Sequence, residues 1–233
     1  MRGMQVLAFD ASTAWLSVAL FDGRDAIALR ERAGSAASER ILPLVADVLA
    51  RGGTSLSRLD GIAYGAGPGA FTGIRIACGV AQGLAFGSGV PVFGVPTLGA
   101  IAQSAWQVHG FTDVVACLDA RMQEVYVAAY RRRDDGWDTV REPVVRRPGD
   151  VSAPSEGTWQ GAGEGFVAYP ALADQLRLTA CDPSLIPDAE SVARFAWPSV
   201  VAGGGVPAEQ AQPLYVRHRV ALTSAERAAG ERL

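Results

Sequence analysis

The stretch YGAGPGAFTGIRIACGVAQGLAFG, residues 64–87, reads as the end of a strand, a glycine-rich turn and a helix. Ile62-Ala63-Tyr64 is short and apolar. Gly65-Ala66-Gly67-Pro68-Gly69 is the turn, and the helix starts near Phe71 or Thr72 and stops near Gly87. Free backbone N–H groups at such a helix start form a ready anion site. Two nucleotide motifs can be tried on it. Gly65-x-Gly67-x-x-Ala70 fits the glycine spacing of a dinucleotide fingerprint. That motif also needs an acid about 20 residues on to hold the ribose, and no Asp or Glu occurs between Asp60 and Asp113. Gly67 to Gly73 has the frame of a P-loop, but Ile74-Arg75 follow where Lys and Ser or Thr are required.

The helix carries its own message. Gly79, Gly83 and Gly87 recur every four residues, as do Ala77, Ala81 and Ala85, giving two small-residue stripes on neighbouring faces. A glycine inside a helix costs about 1 kcal/mol against alanine. Close approach of another helix is a compensating reason. Arg75 is the single formal charge from Gly61 to Thr112, so most sides of the helix should be covered. It is either a central core helix or one shared between the core and a partner chain.

At 233 residues and 49% hydrophobic, the chain can build one large or two small domains. A net charge of −3 leaves no global footprint for nucleic acid. All 21 Lys or Arg positions are arginine, which removes Schiff-base and Walker lysine chemistry. Cys78, Cys117 and Cys181 lie far apart without a Cys-x-x-Cys pair, a pattern of buried thiols in a reducing compartment. No signal-peptide pattern opens the chain and no uninterrupted apolar run reaches membrane-spanning length, so the expected location is the cytoplasm.

Outward from the central stretch, Met4–Asp10, Leu16–Phe21 and Asp25–Arg32 form a three-stranded meander with an Asp22-Gly23 hairpin turn. Its first turn is Asp10-Ala11-Ser12-Thr13, whose hydroxyls and amides could cradle phosphate or close a structural Asx turn. A helix capped by Ser35 or Ser38 follows, with Ile41, Leu42, Leu44, Val45, Val48 and Leu49 apolar over a broad face, and ends at Gly52-Gly53. Val90–Pro96 is a strand, and Thr97 caps a helix to Gln107. Val114–Leu118 is again followed by Asp119-Ala120 and a second strand, Glu124–Arg131. Asp10-Ala11 and Val18-Ala19 recur 109 residues later as Asp119-Ala120 and Val127-Ala128, the mark of an internal duplication. Asp134–Arg147 is hairpin or loop, 165–178 a helix with Tyr169, Leu172 and Leu176 inward, Pro187–Trp197 another helix, and Pro213–Val220 a last strand. His109 and His218 have no spaced partner, so no metal site is expected. Arg131-Arg132-Arg133, Arg146-Arg147 and Arg217-His218-Arg219 are local basic clusters, which are commonly solvated faces.

Six blocks together resemble the TsaB (YeaZ) family. They are Asp10-Ala-Ser-Thr13, Ser38-Glu-Arg-Ile-Leu-Pro43, Gly65-x-Gly-Pro-Gly-x-Phe-Thr-Gly-Ile-Arg75, Gln82-Gly-Leu-Ala85, Asp119-Ala-Arg121 with Glu124-Val-Tyr126, and Pro213-Leu-Tyr-Val-Arg217. The third block is specific to TsaB and its paralogue TsaD. The resemblance implies an α/β, two-domain, actin-like and Hsp70-like ASKHA fold with duplicated βββαβα halves. The expected division is 1–110 and 111–220, with a tail at 221–233. It implies a non-catalytic scaffold in the making of N6-threonylcarbamoyladenosine at position 37 of tRNAs that read codons starting with adenine. In that family TsaD carries the metal and the transfer chemistry, TsaE is an ATPase that joins, and the TsaB-like chain also forms homodimers. ATP and metal are thus expected in partner subunits, and tRNA reaches this chain through the complex.

The expected partner surface comprises Ile41, Leu42, Val45 and Leu49 on one helix and Ile76, Gly79, Val80, Gly83 and Gly87 on the other. Asp10, Ser12, Thr13 and Asp119 form a candidate vestigial phosphate site, and no catalytic residue is assigned. Many relatives have His where this chain has Ala37, and Gly203-Gly-Gly205 is a candidate remnant of an adenosine loop. The alternative is an ASKHA kinase or ATPase active alone. A peptidase ranks last, since no His-based nucleophile system is present.

Overall fold

A computed structural model describes residues 3–217. Ten strands form two five-stranded mixed sheets. The first contains β1 (Val6–Asp10), β2 (Trp15–Phe21), β3 (Ala26–Arg32), β4 (Gly61–Gly67) and β5 (Val92–Pro96), in the order β3-β2-β1-β4-β5. The second contains β6 (Asp113–Arg121), β7 (Glu124–Arg132), β8 (Trp137–Arg146), β9 (Gln160–Ala162) and β10 (Cys181–Asp182), in the order β10-β9-β6-β7-β8. In both, an antiparallel meander flanks one side of the central strand and parallel strands flank the other. The duplication is therefore real, and the fold is the ASKHA α/β fold. Its register differs from the constant offset read in the sequence. Phe9 faces Val18, whereas its counterpart Leu118 faces Tyr126, so the second hairpin is shorter by one residue. The Val18-Ala19 and Val127-Ala128 match is thus one step out of structural register.

The helices are α1 (Ala37–Arg51), α2 (Phe71–Ser88), α3 (Thr97–His109), α4 (Gly165–Ala168), α5 (Ala171–Gln175) and α6 (Ala189–Val201). Strand alternation sorts the core. Leu7, Phe9, Leu16, Val18 and Leu20 point to α1 and α2. Val6, Ala8, Ala19, Phe21 and Ala63 point to α6 through its alanines 189, 193 and 196. On the second sheet Val114, Ala116, Leu118, Ala128 and Tyr130 meet α3, and Val115, Cys117, Val125 and Val127 meet Phe166, Leu172 and Leu176. A cut after residue 110 separates the strands by sheet but not the cores, because α3 covers the second sheet and α6 returns to the first. The two helices meet at a Ser104 to Ser191 hydroxyl hydrogen bond of 2.7 Å. Gly99 makes room there for the Phe195 ring, which a Cβ would approach to 2.7 Å.

Several local expectations are corrected. Neither Ser35 nor Ser38 caps α1, which continues from a 3-10 turn at Gly34–Ala36 with no side-chain cap. Thr97 is inside α3 rather than capping it, and its hydroxyl is buried without a partner. The 165–178 helix is two short helices, interrupted at Tyr169-Pro170 because the residue before proline avoids helical geometry. Asp188 caps α6 by accepting from the Ser191 N–H at 2.8 Å. Residues 213–217 are not a strand but an extended strap along β4, with the Leu214 N–H donating to the Ala66 carbonyl. The rest of that expected strand and the 221–233 tail lie outside the described residues.

Candidate functional site

The sheets' central strands end at one cleft of about 620 Å³. Its walls come from the turn after β1, the start of α2, the β6–β7 turn and Glu164. Sequence dictates this meeting point. The Ala11–Thr13 turn sits directly on the glycine-rich start of α2, where a Cβ on Gly69 would lie 2.5 Å from the Ser12 carbonyl oxygen and one on Gly73 1.8 Å from that of Ala11. The Ala70 N–H donates to the Ser12 carbonyl at 2.7 Å and locks the two together. In the second unit Gly163 and Gly165 also pack closely, but on Cys117 within β6 rather than on the turn that follows it.

Of the predicted site residues, Ser12, Thr13 and Asp119 line the cleft, and Asp10 lies behind it, 1% exposed. Several of their polar atoms have local partners. The Ser12 N–H and hydroxyl donate to Asp10 Oδ1 at 2.9 and 2.8 Å, closing an Asx turn. Thr13 Oγ1 accepts from the Trp15 N–H, and Asp119 accepts from the Arg121 N–H and pairs with its guanidinium. Ser12 has neither donor left for a phosphate, since its amide and hydroxyl both bind Asp10, whereas Thr13 is engaged only as an acceptor. Gly203–Gly205 does not line the cleft; its last glycine packs on Phe93 and Pro91.

Asp10 Oδ2 is buried without a partner, and a Cβ on Gly65 would meet it at 1.9 Å. Burial pushes this carboxyl up to about 6 against the two Ser12 hydrogen bonds, which pull it down, with Asp188 adding a smaller upward push. The sign follows by linkage. Between the ordinary carboxylate value and about 6 the folded state holds a proton that the unfolded state has lost, so stability falls as pH rises through that window and levels above it. The shift corresponds to roughly 3 kcal/mol. Asp10→Asn keeps the acceptor for Ser12 and is expected to flatten the profile between pH 4 and 6, as roughly bounded by the reference value and the linkage. It should also raise stability at neutral pH. Urea unfolding across that range checks it; an unchanged slope in the variant would assign the pH dependence elsewhere.

The predicted partner residues divide. Ile41, Val45 and Leu49 are buried in the chain's own core, and Ile76 and Val80 are half-buried against it. Leu42, Gly79, Gly83 and Gly87 are exposed. A Cβ on any of these three glycines would meet nothing within 4 Å. On α1 the outward row is Leu42, Ala46 and Ala50, one position on from the row the sequence suggested. Ala46 and Ala50 with Gly83 and Gly87 border an open groove of about 670 Å³. Phe86 of α2 is 84% exposed and is not among the expected residues. Among the described residues no three His, Cys, Asp or Glu side chains converge as metal ligands, and no helix is long and apolar enough to cross a membrane.

Comparison with known proteins bears on this geometry. A family model described as TsaD, tRNA N6-adenosine threonylcarbamoyltransferase, matches residues 30–220. The chain is 41% identical over 223 residues to the tRNA threonylcarbamoyladenosine biosynthesis protein TsaB of Escherichia coli K12, covering 94% of this chain and 96% of that one. It is 34% identical to the TsaB of Haemophilus influenzae, again over 94% of this chain and 96% of the relative. Among solved structures, YeaZ from Pseudomonas aeruginosa superposes with a TM-score of 0.84 at 40% identity, covering 91% of this chain and 99% of that one.

Proposed function

The chain belongs to the TsaB (YeaZ) family of tRNA threonylcarbamoyladenosine biosynthesis proteins, and we propose that it acts there as a non-catalytic scaffold. On this reading it works in the cytoplasm and pairs through α1 and α2 with the TsaD-like protein of its own organism. A TsaE-like ATPase joins that pair, and tRNA is reached through the assembly. The carrying observation is the outer face of α1 and α2, where Gly79, Gly83 and Gly87 have room for a Cβ with nothing within 4 Å and Leu42, Ala46 and Ala50 are exposed beside them. Interior glycines weaken a helix, and a partner helix seated closely against them offsets that cost. Two helices from each chain can then form a four-helix contact.

Two features support a non-catalytic role. Of the two histidines, His109 is engaged by Asp182 at 2.6 Å and His218 lies outside the described residues. The cleft's Asp-Ser-Thr turn is closed on itself, which supports reading it as a vestigial phosphate site at Asp10, Ser12, Thr13 and Asp119. ATP and metal chemistry then belong to the partner subunits.

The test is light-scattering size exclusion of this chain mixed with the TsaD-like protein of the same organism. A single one-to-one species in place of two separate peaks supports the scaffold reading. Two unchanged peaks in the presence of ATP and magnesium would sink it and turn attention to nucleotide turnover by this chain alone. The same column reports whether the isolated chain is a homodimer.

A further inference from the structure

Near the cleft, α2 presents an exposed guanidinium that lies over the Phe71 ring and beside that of Tyr215, the two rings being 6.1 Å apart. Arg75 Cζ lies 3.8 Å from the centroid of the Phe71 ring and 5.6 Å from that of Tyr215. Its Nε donates to the Tyr215 hydroxyl at 2.7 Å. Phe71 and Tyr215 are themselves 47% and 46% exposed. Tyr215 is carried by the strap, which is fastened on both sides. The Tyr64 hydroxyl and Gln82 Nε2 donate to the Gln212 and Ala211 carbonyls. Arg217 reaches Glu124 and the Ala120 carbonyl of the second sheet's hairpin. The strap thus holds Tyr215 in place, and its hydroxyl orients the guanidinium before anything binds.

We propose that the Phe71–Arg75–Tyr215 stack is a receptor for a carboxylate side chain of the protein that docks on α1 and α2. This rests on the docking reading given above and adds the charge chemistry of the contact. Arg75 makes no ion pair among the described residues. It is also the sole formal charge between Gly61 and Thr112. A partner that covers the outer face of α2 takes that guanidinium out of water. An unpaired buried charge is strongly unfavourable, whereas an arginine fork meeting a carboxylate is well matched. Arginine and tyrosine are also over-represented among the residues that dominate protein interfaces, and a held side chain loses little freedom on binding.

A second copy of this chain has no Asp or Glu on its α2, and Asp47 on its α1 is occupied by Arg51 at 2.9 Å, which leaves Glu39 in the first turn of α1 as its one other acid on these helices. The occupant assigned here is the heterologous partner of the docking reading, with an acidic residue on its docking helix, and self-association through Glu39 is the competing outcome of the test.

The experiment measures the dissociation constant of the pair with the TsaD-like protein across a series of NaCl concentrations. The proteins are the wild type, Arg75→Gln, Arg75→Lys, Tyr215→Phe and Gly83→Leu, with thermal unfolding as the check on folding. Arg75→Gln is expected to weaken pairing about tenfold or more and to reduce its salt dependence. Arg75→Lys keeps the charge, so it should retain the salt dependence while losing affinity. Tyr215→Phe frees the guanidinium and should weaken pairing by a smaller factor. An Arg75→Gln protein with wild-type affinity and salt dependence, while Gly83→Leu abolishes pairing, overturns the carboxylate receptor and leaves the docking face standing. Intact pairing in Gly83→Leu, or no pairing by the wild type, overturns both. Loss confined to self-association overturns the proposal in favour of a second copy. Loss of tRNA retention by the isolated chain, with partner affinity unchanged, overturns it in favour of a phosphate.

Discussion

Replacing Gly73 by alanine should cost about 3 kcal/mol or more of folding stability, although alanine is the better helix former. The new Cβ would sit 1.8 Å from the Ala11 carbonyl oxygen and 2.9 Å from its carbon. Both partners are backbone, so no side-chain rotation relieves the contact. The Ala11 carbonyl cannot retreat, because it follows β1, the central strand paired on both sides. The start of α2 cannot retreat cheaply either, since the Ala70 N–H is bonded to the Ser12 carbonyl. Relief means lifting α2 from the turn and opening the core beneath Ala77 and Cys78, both buried. A domain has about 5–15 kcal/mol to lose, so the variant should unfold at a visibly lower urea concentration. Gly79→Ala, two turns along the same helix, is the internal control. Its Cβ meets nothing within 4 Å, so it should stabilise by up to about 1 kcal/mol through helix propensity. The same substitution is thus expected to have opposite signs six residues apart, and equal midpoints for the two variants would refute the close-contact account of Gly73.

That contrast shows what a single sequence carries. The row of glycines at 79, 83 and 87 and the pair at 69 and 73 look alike as letters. One row faces open space and the other faces carbonyl oxygens, and only the third dimension separates them. Likewise, α1 has neighbouring apolar rows at 41, 45, 49 and at 42, 46, 50. Helical periodicity identifies both but does not say which one turns to the sheet, so the reading placed Ile41, Val45 and Leu49 on the surface when they fill the core. The strands of the first sheet, β6 and β7 were legible because apolar runs were bounded by Asp-Gly, Gly and Pro, whereas β8, expected as hairpin or loop, is a ten-residue strand of polar composition on the sheet edge. The duplication was legible in β1 and β6, where Asp-Ala recurs, and was misread in β7 because the hairpin is one residue shorter. The strap at 211–217 was invisible. Pro213-Leu-Tyr-Val-Arg217 has strand composition, yet it is held by the Tyr64 hydroxyl, the Gln82 amide, the Ala66 carbonyl and Glu124, contacts more than 90 residues away that no local pattern announces. In the site, the Asp-Ser-Thr turn was legible as a turn, but that both Ser12 donors are taken up by Asp10 is a geometric fact.

Gly83→Leu is expected to weaken pairing with the TsaD-like protein roughly a hundredfold while leaving the isolated chain as stable as before or slightly more so. In the free chain the added side chain enters open space, since a Cβ at Gly83 would meet no atom within 4 Å. Removing an exposed interior glycine gains up to about 1 kcal/mol of helix propensity. In a close helix contact the same side chain occupies volume that a partner backbone needs, and overpacking a tight contact costs about 1–3 kcal/mol, which is a factor of roughly five to a hundred and fifty in affinity. Ala46→Leu on α1, at the other border of the groove, should act in the same direction because both rows face the same space. A folding defect would lower the melting temperature along with affinity. An interface defect lowers affinity alone, and that separation lets one variant test the function without confusing it with stability. Calorimetric titration beside thermal unfolding reads both quantities. Wild-type affinity in a stable Gly83→Leu protein would mean that the partner docks elsewhere and that the open row on α2 serves another end.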